Sequence, residues 1–268
     1  QWTSVSHRIA ITIQDLIAYD NASYHAGFRD WVDYRSDIAE AVERSDLVVA
    51  ISPDVREAIR GARLEVPDGR LVTVDQGTDH LSGLEGLREP IALRQSGLGA
   101  APFILVLGAS YAHKNRALAM RAWEQLRTKG YPHELVLVGV TVGRGSDYLG
   151  ETQTAGRHAR GIHLLPDVSS QERNWLFKHA QLVLYPTSAE GFGLVPYEAA
   201  SFETPTVHVG FGPLADNLPG GPGVSQDWSP VSLATAMKEL IDDPALAREV
   251  AVRIRQHGDK LTWNRTAE

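Results

Sequence analysis

Short β-rich runs separated by longer amphipathic ones place the strongest constraint on this chain. The runs "DLVVAIS", "FILVLGA", "ELVLVGV" and "LVLYP" are almost continuously apolar. Runs of this kind suit strands buried on both faces, which is the condition of parallel sheets covered by helices. The stretches between them carry apolar residues at helical spacing. From Arg29 to Glu43, for example, Trp31, Tyr34, Ile38 and Val42 share one face. The fold class is therefore α/β, with parallel strands joined by helical crossovers.

Read in order, "RIAITI" (Arg8 to Ile13) is a strand, Arg29 to Glu43 a helix and "LVVAI" a strand. Ser52 and Pro53 make an N-cap and first-turn pair for the helix "DVREAIRGA", and "RLVTV" ends the first series at "DQGTD". The text from Ser82 to Pro102 is rich in Gly and Pro and weakly periodic, which marks a boundary. The composition break places a first α/β domain at 1–84, a linker at 85–101 and a second domain at 102–268.

The second series runs strand "FILVLGA", helix Asn115 to Lys129, strand "ELVLVGV", a Gly-rich loop and a helix from Tyr148 to Arg160. Strand "GIHLLPDV", helix "SQERNWLFKHA", strand "LVLYP", strand "TPTVHV" and one carboxy-terminal helix across Ser232 to His257 follow. This order describes an open, doubly wound sheet, and such sheets bind ligands at the carboxyl ends of their strands, where strand order reverses.

Composition narrows the function. A net charge of -7 argues against a chain whose task is to coat nucleic acid or an anionic membrane. With no cysteine there is neither a thiolate metal site nor a cysteine nucleophile, which suits a reducing compartment, and the chain is read as cytoplasmic. No apolar run approaches the roughly 20 residues of a membrane span. Peripheral membrane contact stays open. The amino terminus lacks the pattern of a signal peptide and enters a strand almost at once, so upstream sequence is expected. The ten histidines carry no metal-binding spacing, and neither metal nor cofactor is expected.

The segment "SAEGFGLVPYEAASFETPTV" (Ser188 to Val207) holds the densest chemistry. Gly191 and Gly193 permit a tight turn and close approach, and Pro196 suits a helix's first turn. Such a turn offers amides to an anion such as a phosphate. Glu190 before it and Glu198 after it have seven residues between them and suit hydroxyl pairs on a sugar or ribose, since a carboxylate accepts two hydrogen bonds at once. In isolation the same spacing is better explained by a turn flanked by solvated charges.

Neighbouring residues decide between the two. "SAEGFGLVPYEAASFETPTV" resembles the E-x7-E signature of the family-four retaining glycosyltransferases. "FILVLGASYAHKNRALAMRAWEQL" resembles the strand, phosphate loop and helix that open that family's donor domain, and "HLLPDVSSQERNWLFKHAQLVLYPT" the segment that follows. "IAITIQDLIAYD", "SDLVVAISPDVREAI" and "LVTVDQGTD" are similar to the last part of its acceptor domain, and "TWNRTAE" to its tryptophan-containing close. The resemblance implies the GT-B fold, two Rossmann-like domains facing a cleft, the first incomplete here.

It also implies roles. Glu198 would hold the ribose, Glu190 the donor sugar with Gly191, Phe192, Gly193 and Leu194 nearby, and Lys114 the diphosphate, with Ser110 and Asn115 in the same loop. Asp167 and Val168 would frame the base; Gln14 and Gly77 would face the cleft from the acceptor side. The implied activity is transfer of a sugar from a nucleoside-diphosphate sugar to a sugar, lipid-linked or small-molecule acceptor hydroxyl, with retention and without metal. Ala109 stands where many relatives have arginine, with Arg144 a candidate substitute, and Gln14 where many have histidine. These departures keep open a non-catalytic nucleotide-sugar-binding protein. A nucleotide-sugar epimerase on the same fold is a third reading.

Overall fold

The computed structural model describes residues 8–79, 86–95, 97–98, 101–146, 150–151, 160–218 and 220–268. The first series of elements is β1 (Ala10–Ile13), α1 (Ile17–Asp20), α2 (Phe28–Arg44), β2 (Leu47–Ala50), α3 (Pro53–Gly61) and β3 (Leu71–Thr73). The strands form a three-stranded parallel sheet in the order β1-β2-β3. Ser52 caps α3 by accepting from Val55 N–H at 3.2 Å, with Pro53 in the first turn, as its sequence predicts.

A short helix, α4 (Ile91–Gln95), lies in the Gly/Pro-rich stretch. After it come β4 (Phe103–Leu107), α5 (Arg116–Thr128), β5 (Glu134–Val138), β6 (Ile162–Leu165), α6 (Ser170–His179), β7 (Leu182–Tyr185), α7 (Val195–Ser201), β8 (Thr206–Val209), α8 (Pro213–Asn217) and β9 (Val224–Ser225). The six strands are parallel in the order β6-β5-β4-β7-β8-β9. The central strands β4 and β7 are wholly buried, which accounts for their unbroken apolar text. Strand order reverses between β4 and β7. The helix expected from Tyr148 to Arg160 falls largely outside the described residues.

The single carboxy-terminal helix expected across Ser232 to His257 is two: α9 (Pro230–Asp242) and α10 (Pro244–Gly258). Asp243 adopts an extended conformation and its carboxylate accepts from the N–H groups of Ala245 and Leu246, both at 3.0 Å, while Pro244 opens the new helix. The continuous apolar periodicity concealed the cap, because both helices bury faces in the same core.

The chain then returns to the first sheet. Leu261 C=O accepts from Thr78 N–H at 2.8 Å, and the Thr78 hydroxyl donates to Gly258 C=O at 2.8 Å. The last helix, α11 (Trp263–Ala267), receives Asp79 on the Trp263 N–H at 2.9 Å. No helix among the described residues is long and apolar enough to cross a membrane.

Candidate active site

Two loops flank the point where strand order reverses. After β4 the chain turns at Gly108 (φ +131°) and runs through a 3₁₀ turn at Ala112–Lys114 to Asn115, held in the left-handed region at φ 51°. Asn115 keeps that conformation because its side-chain amide donates to Pro186 C=O, beyond β7, at 2.9 Å. The His113 carbonyl accepts from Ser188 N–H at 2.8 Å and from the Thr187 hydroxyl at 3.1 Å. These bonds fix the loop after β4 against the loop after β7.

Lys114 and Glu190 meet as a result, Nζ to Oε1 at 2.5 Å, with side chains 19% and 12% exposed. The Lys114 stem lies along Gly108, whose missing Cβ leaves the room. Tyr185, at the end of β7, lies 5.6 Å below Lys114 Nζ, ring centre to nitrogen. Burial, and next the Glu190 carboxylate, hold the Tyr185 phenol well above its ordinary value, so it stays protonated.

Glu198 sits in the first turn of α7, with Pro196 beside it, and pairs through Oε1 with Arg173 of α6 at 3.1 Å. Gly193 turns at φ +89° over Leu214. Phe192 is buried against Tyr197, its carbonyl accepting from Asn217 at 3.2 Å, and Leu194 is half-buried at the start of α7. Ser110 is fully buried and accepts from Val142 N–H at 2.9 Å, so it ties the β4 and β5 loops together. Arg116 does the same beneath the loop, donating to the Gly108 and Gly139 carbonyls, each at 3.2 Å.

The first sheet closes over this arrangement. A Cβ on Gly191 would collide with the Gln14 carbonyl oxygen, and the Gly191 carbonyl accepts from Ser52 Oγ at 2.7 Å. Beside that contact lies a cavity of about 520 Å³ lined from both sheets, with Asp15, Tyr24 and Asp54 on one side and His113, Glu190 and Phe211 on the other. Asp15 also accepts from Ile17 N–H at 2.9 Å, so it caps a turn and faces the cavity at once.

Several expected residues lie elsewhere. Gly77 is buried under Thr262 and Trp263 of the closing segment, whose backbone a Cβ would strike, and does not face the cavity. Its glycine serves chain packing. The exposed Asp167 and half-buried Val168 follow β6 at the sheet's edge and are not among the cavity's lining residues. Arg144 is exposed and lines a separate open hollow with Tyr24 and Tyr111. Trp228 donates from its indole to Thr187 C=O at 3.2 Å and meets Phe211, which lines the cavity, edge-on. Arg173, Tyr185 and Ser52 lie within the family-like segments without a site role being assigned to them, and Tyr24 lies outside those segments; tertiary contacts bring all four to the site. Among the described residues no cluster of three or more His, Asp or Glu could hold a metal ion.

Residues 32–268 match the family described as family 4 glycosyltransferase in conflict systems. The chain belongs to that family. Among curated proteins, this family 4 chain is 25% identical over 244 residues to D-inositol 3-phosphate glycosyltransferase of Rhodococcus erythropolis, covering 85% of the chain and 53% of the relative. It is 29% identical over 217 residues to glycogen synthase of Mycobacterium tuberculosis, covering 80% and 50%. The family 4 chain thus spans about half the length of these relatives. Among solved structures it resembles Anabaena Alr3699/HepE in complex with UDP and glucose, with TM-score 0.77, 17% identity, and 97% and 69% of the two chains covered. Sucrose-phosphate synthase from Thermosynechococcus elongatus gives TM-score 0.72 at 21% identity, with 96% and 65% covered. These neighbours support the GT-B fold for the family 4 chain.

Proposed function

We propose that the chain carries the donor site of a glycosyltransferase that moves a sugar from a nucleoside-diphosphate sugar, with retention of configuration, to an acceptor hydroxyl. The observation that carries this is the meeting of Lys114 and Glu190 at the switch point of the six-stranded sheet, 2.5 Å apart, with Glu190 lining the cavity that both sheets enclose. Membership of the family supports it, as does the UDP held by the similar HepE structure.

In this reading the diphosphate displaces Glu190 from Lys114, and the amides that open α5, which no side chain caps, lie beside it. Positive charge aimed at the leaving phosphate acts most strongly as the bond to the anomeric carbon breaks, and it supplies the neutralisation that a metal would otherwise give. Glu190, released, faces the sugar. Glu198 exchanges its ion pair with Arg173 for the ribose hydroxyls. Gln14 and Asp15 approach from the acceptor side. Asp167 and Val168 serve the base through their position after β6. The proposal places the acceptor-side domain at 1–84 and the donor domain at 102–268, in a cytoplasmic protein with no resident cofactor.

The decisive experiment titrates UDP, GDP, ADP and dTDP by calorimetry and then follows release of the nucleotide from the matching sugar nucleotide, with and without a chelator. One nucleotide should bind, and turnover should be indifferent to the chelator. Failure of all of them to bind rules the proposal out.

A further inference from the structure

The loop between α1 and α2 sends one side chain into the opposite half of the molecule. Tyr24, in a 3₁₀ turn at Ala22–Tyr24, places its hydroxyl 2.5 Å from Nδ1 of His113. Its ring stacks on Tyr111 at 5.4 Å between centres, and His113 stacks on Tyr111 at 5.6 Å. A Cβ on Gly145 would strike the Tyr24 ring, so the phenol is held on that side too. Tyr24 and His113 both line the cavity that contains Glu190.

The bond is selective about the imidazole's state. A neutral imidazole has one N–H and one lone pair, and which nitrogen carries the proton follows from the partner of the other. A phenol hydroxyl donating to Nδ1 leaves the proton on Nε2. Burial first, and then the adjacent Lys114, lower the His113 pKa to about 4 against the opposing pull of Glu190 and Asp15, so the ring is neutral at neutral pH. Nδ1 is occupied, and Nε2 is the ring's remaining polar atom, in a residue that lines the cavity beside Glu190.

We propose that Tyr24 is a positioning residue that reaches across the cleft to fix His113 as a neutral Nε2–H donor for a hydroxyl of the donor sugar. This rests on the donor-site reading above. Because Tyr24 belongs to the half that carries the three-stranded sheet and His113 to the half that carries the six-stranded one, the bond exists only when the halves are together. Recognition of the sugar is thereby coupled to closure, while recognition of the nucleotide is not.

The test has two arms on the chain as it stands. In the first, long-range proton–nitrogen correlation spectra of imidazole-labelled protein read the His113 tautomer without any ligand. Wild type should show the Nε2–H form, uncharged from pH 5.5 to 8, and Tyr24→Phe should mix the tautomers. An Nδ1–H ring in the wild type, or one that charges near pH 6.5, overturns the assignment. In the second arm calorimetry compares UDP with UDP-glucose. Tyr24→Phe and His113→Ala should each weaken UDP-glucose about 5-fold or more and leave UDP within 2-fold; His113→Gln, which keeps a donor nitrogen, should restore most of the loss. Equal losses for UDP and UDP-glucose overturn the sugar assignment and leave Tyr24 a packing residue. Should wild type bind none of UDP, GDP, ADP and dTDP, the donor-site reading fails and the sugar assignment falls with it; should it bind one of them other than UDP, that nucleotide and its glucose conjugate replace the UDP pair; the tautomer result stands or falls by itself. Thermal melts confirm that each variant is folded.

Discussion

Lys114 Nζ and Glu190 Oε1 lie 2.5 Å apart although the two residues are 76 positions apart in the chain. Each follows a central strand of the six-stranded sheet, and the two strands are hydrogen-bonded neighbours. The carboxylate therefore holds the cation in place, which in the proposed reading is the resting state of the donor site.

Replacing either partner should have unequal effects. Glu190→Gln frees Lys114 for the diphosphate and should leave nucleotide affinity unchanged or slightly higher, while sugar transfer falls on the order of 100-fold, the scale for losing one preorganised charge at a reacting centre. Lys114→Met leaves Glu190 facing the diphosphate unpaired and should weaken nucleotide binding at least 10-fold. The double variant should recover part of that loss. Calorimetry with the preferred nucleotide checks this, and strictly additive losses would show that the two side chains act apart.

Glu198→Ala should weaken nucleotide binding by about 1.5 to 3 kcal/mol, the range for a hydrogen bond to a charged group. Arg173 is left without its partner, but at 35% exposure it is hydrated at little cost. The melting temperature should accordingly move little. Unchanged nucleotide affinity removes Glu198 from the ribose.

Gly191→Ala should hold the halves apart, since the added methyl group needs the space of the Gln14 carbonyl oxygen, which is backbone and cannot swing aside. The Ser52 hydrogen bond to the Gly191 carbonyl is lost with it. Small-angle scattering should register a larger radius of gyration and calorimetry a lower melting temperature. A variant as compact and as stable as wild type contradicts the close approach.

Acid should destabilise the fold through His208. This side chain on β8 is buried, with neither ring nitrogen hydrogen-bonded among the described residues, and burial, then Arg253, lowers its pKa to about 4. The unfolded chain takes up a proton near pH 6.5, the folded one only near 4, so stability is full above the upper value and declines as pH falls through the window. The decline from this residue amounts to roughly 3 kcal/mol at about 1.4 kcal/mol per pKa unit. His113, lowered likewise, adds to it. Urea midpoints between pH 7.5 and 4.5 should fall in wild type and less steeply in His208→Leu; an equal slope in both excludes His208 as a source.

Much of this molecule was legible in its text. The apolar runs gave the strands because both-face burial leaves no polar alternation, and Ser52–Pro53 gave a helix start because capping is local. The glutamates flanking "GFG" stand out as a candidate ligand-binding pair only through the family resemblance, because their spacing, set by one turn and one helix start, equally describes two charges beside a turn. Where a local signal competed with periodicity, periodicity misled, as at Asp243–Pro244. Gly77 misled in another way, since a glycine after a strand does not say what approaches it.

The sequence by itself determined strands, helices and a pair of carboxylates, because those depend on side-chain chemistry over one or two turns of chain. Only the tertiary structure decided their partners: that Lys114 meets Glu190, Arg173 meets Glu198, and Tyr24 reaches His113. Strand order and the closure of one sheet on the other create those contacts, and both follow from how the whole core packs, which no short window of residues encodes.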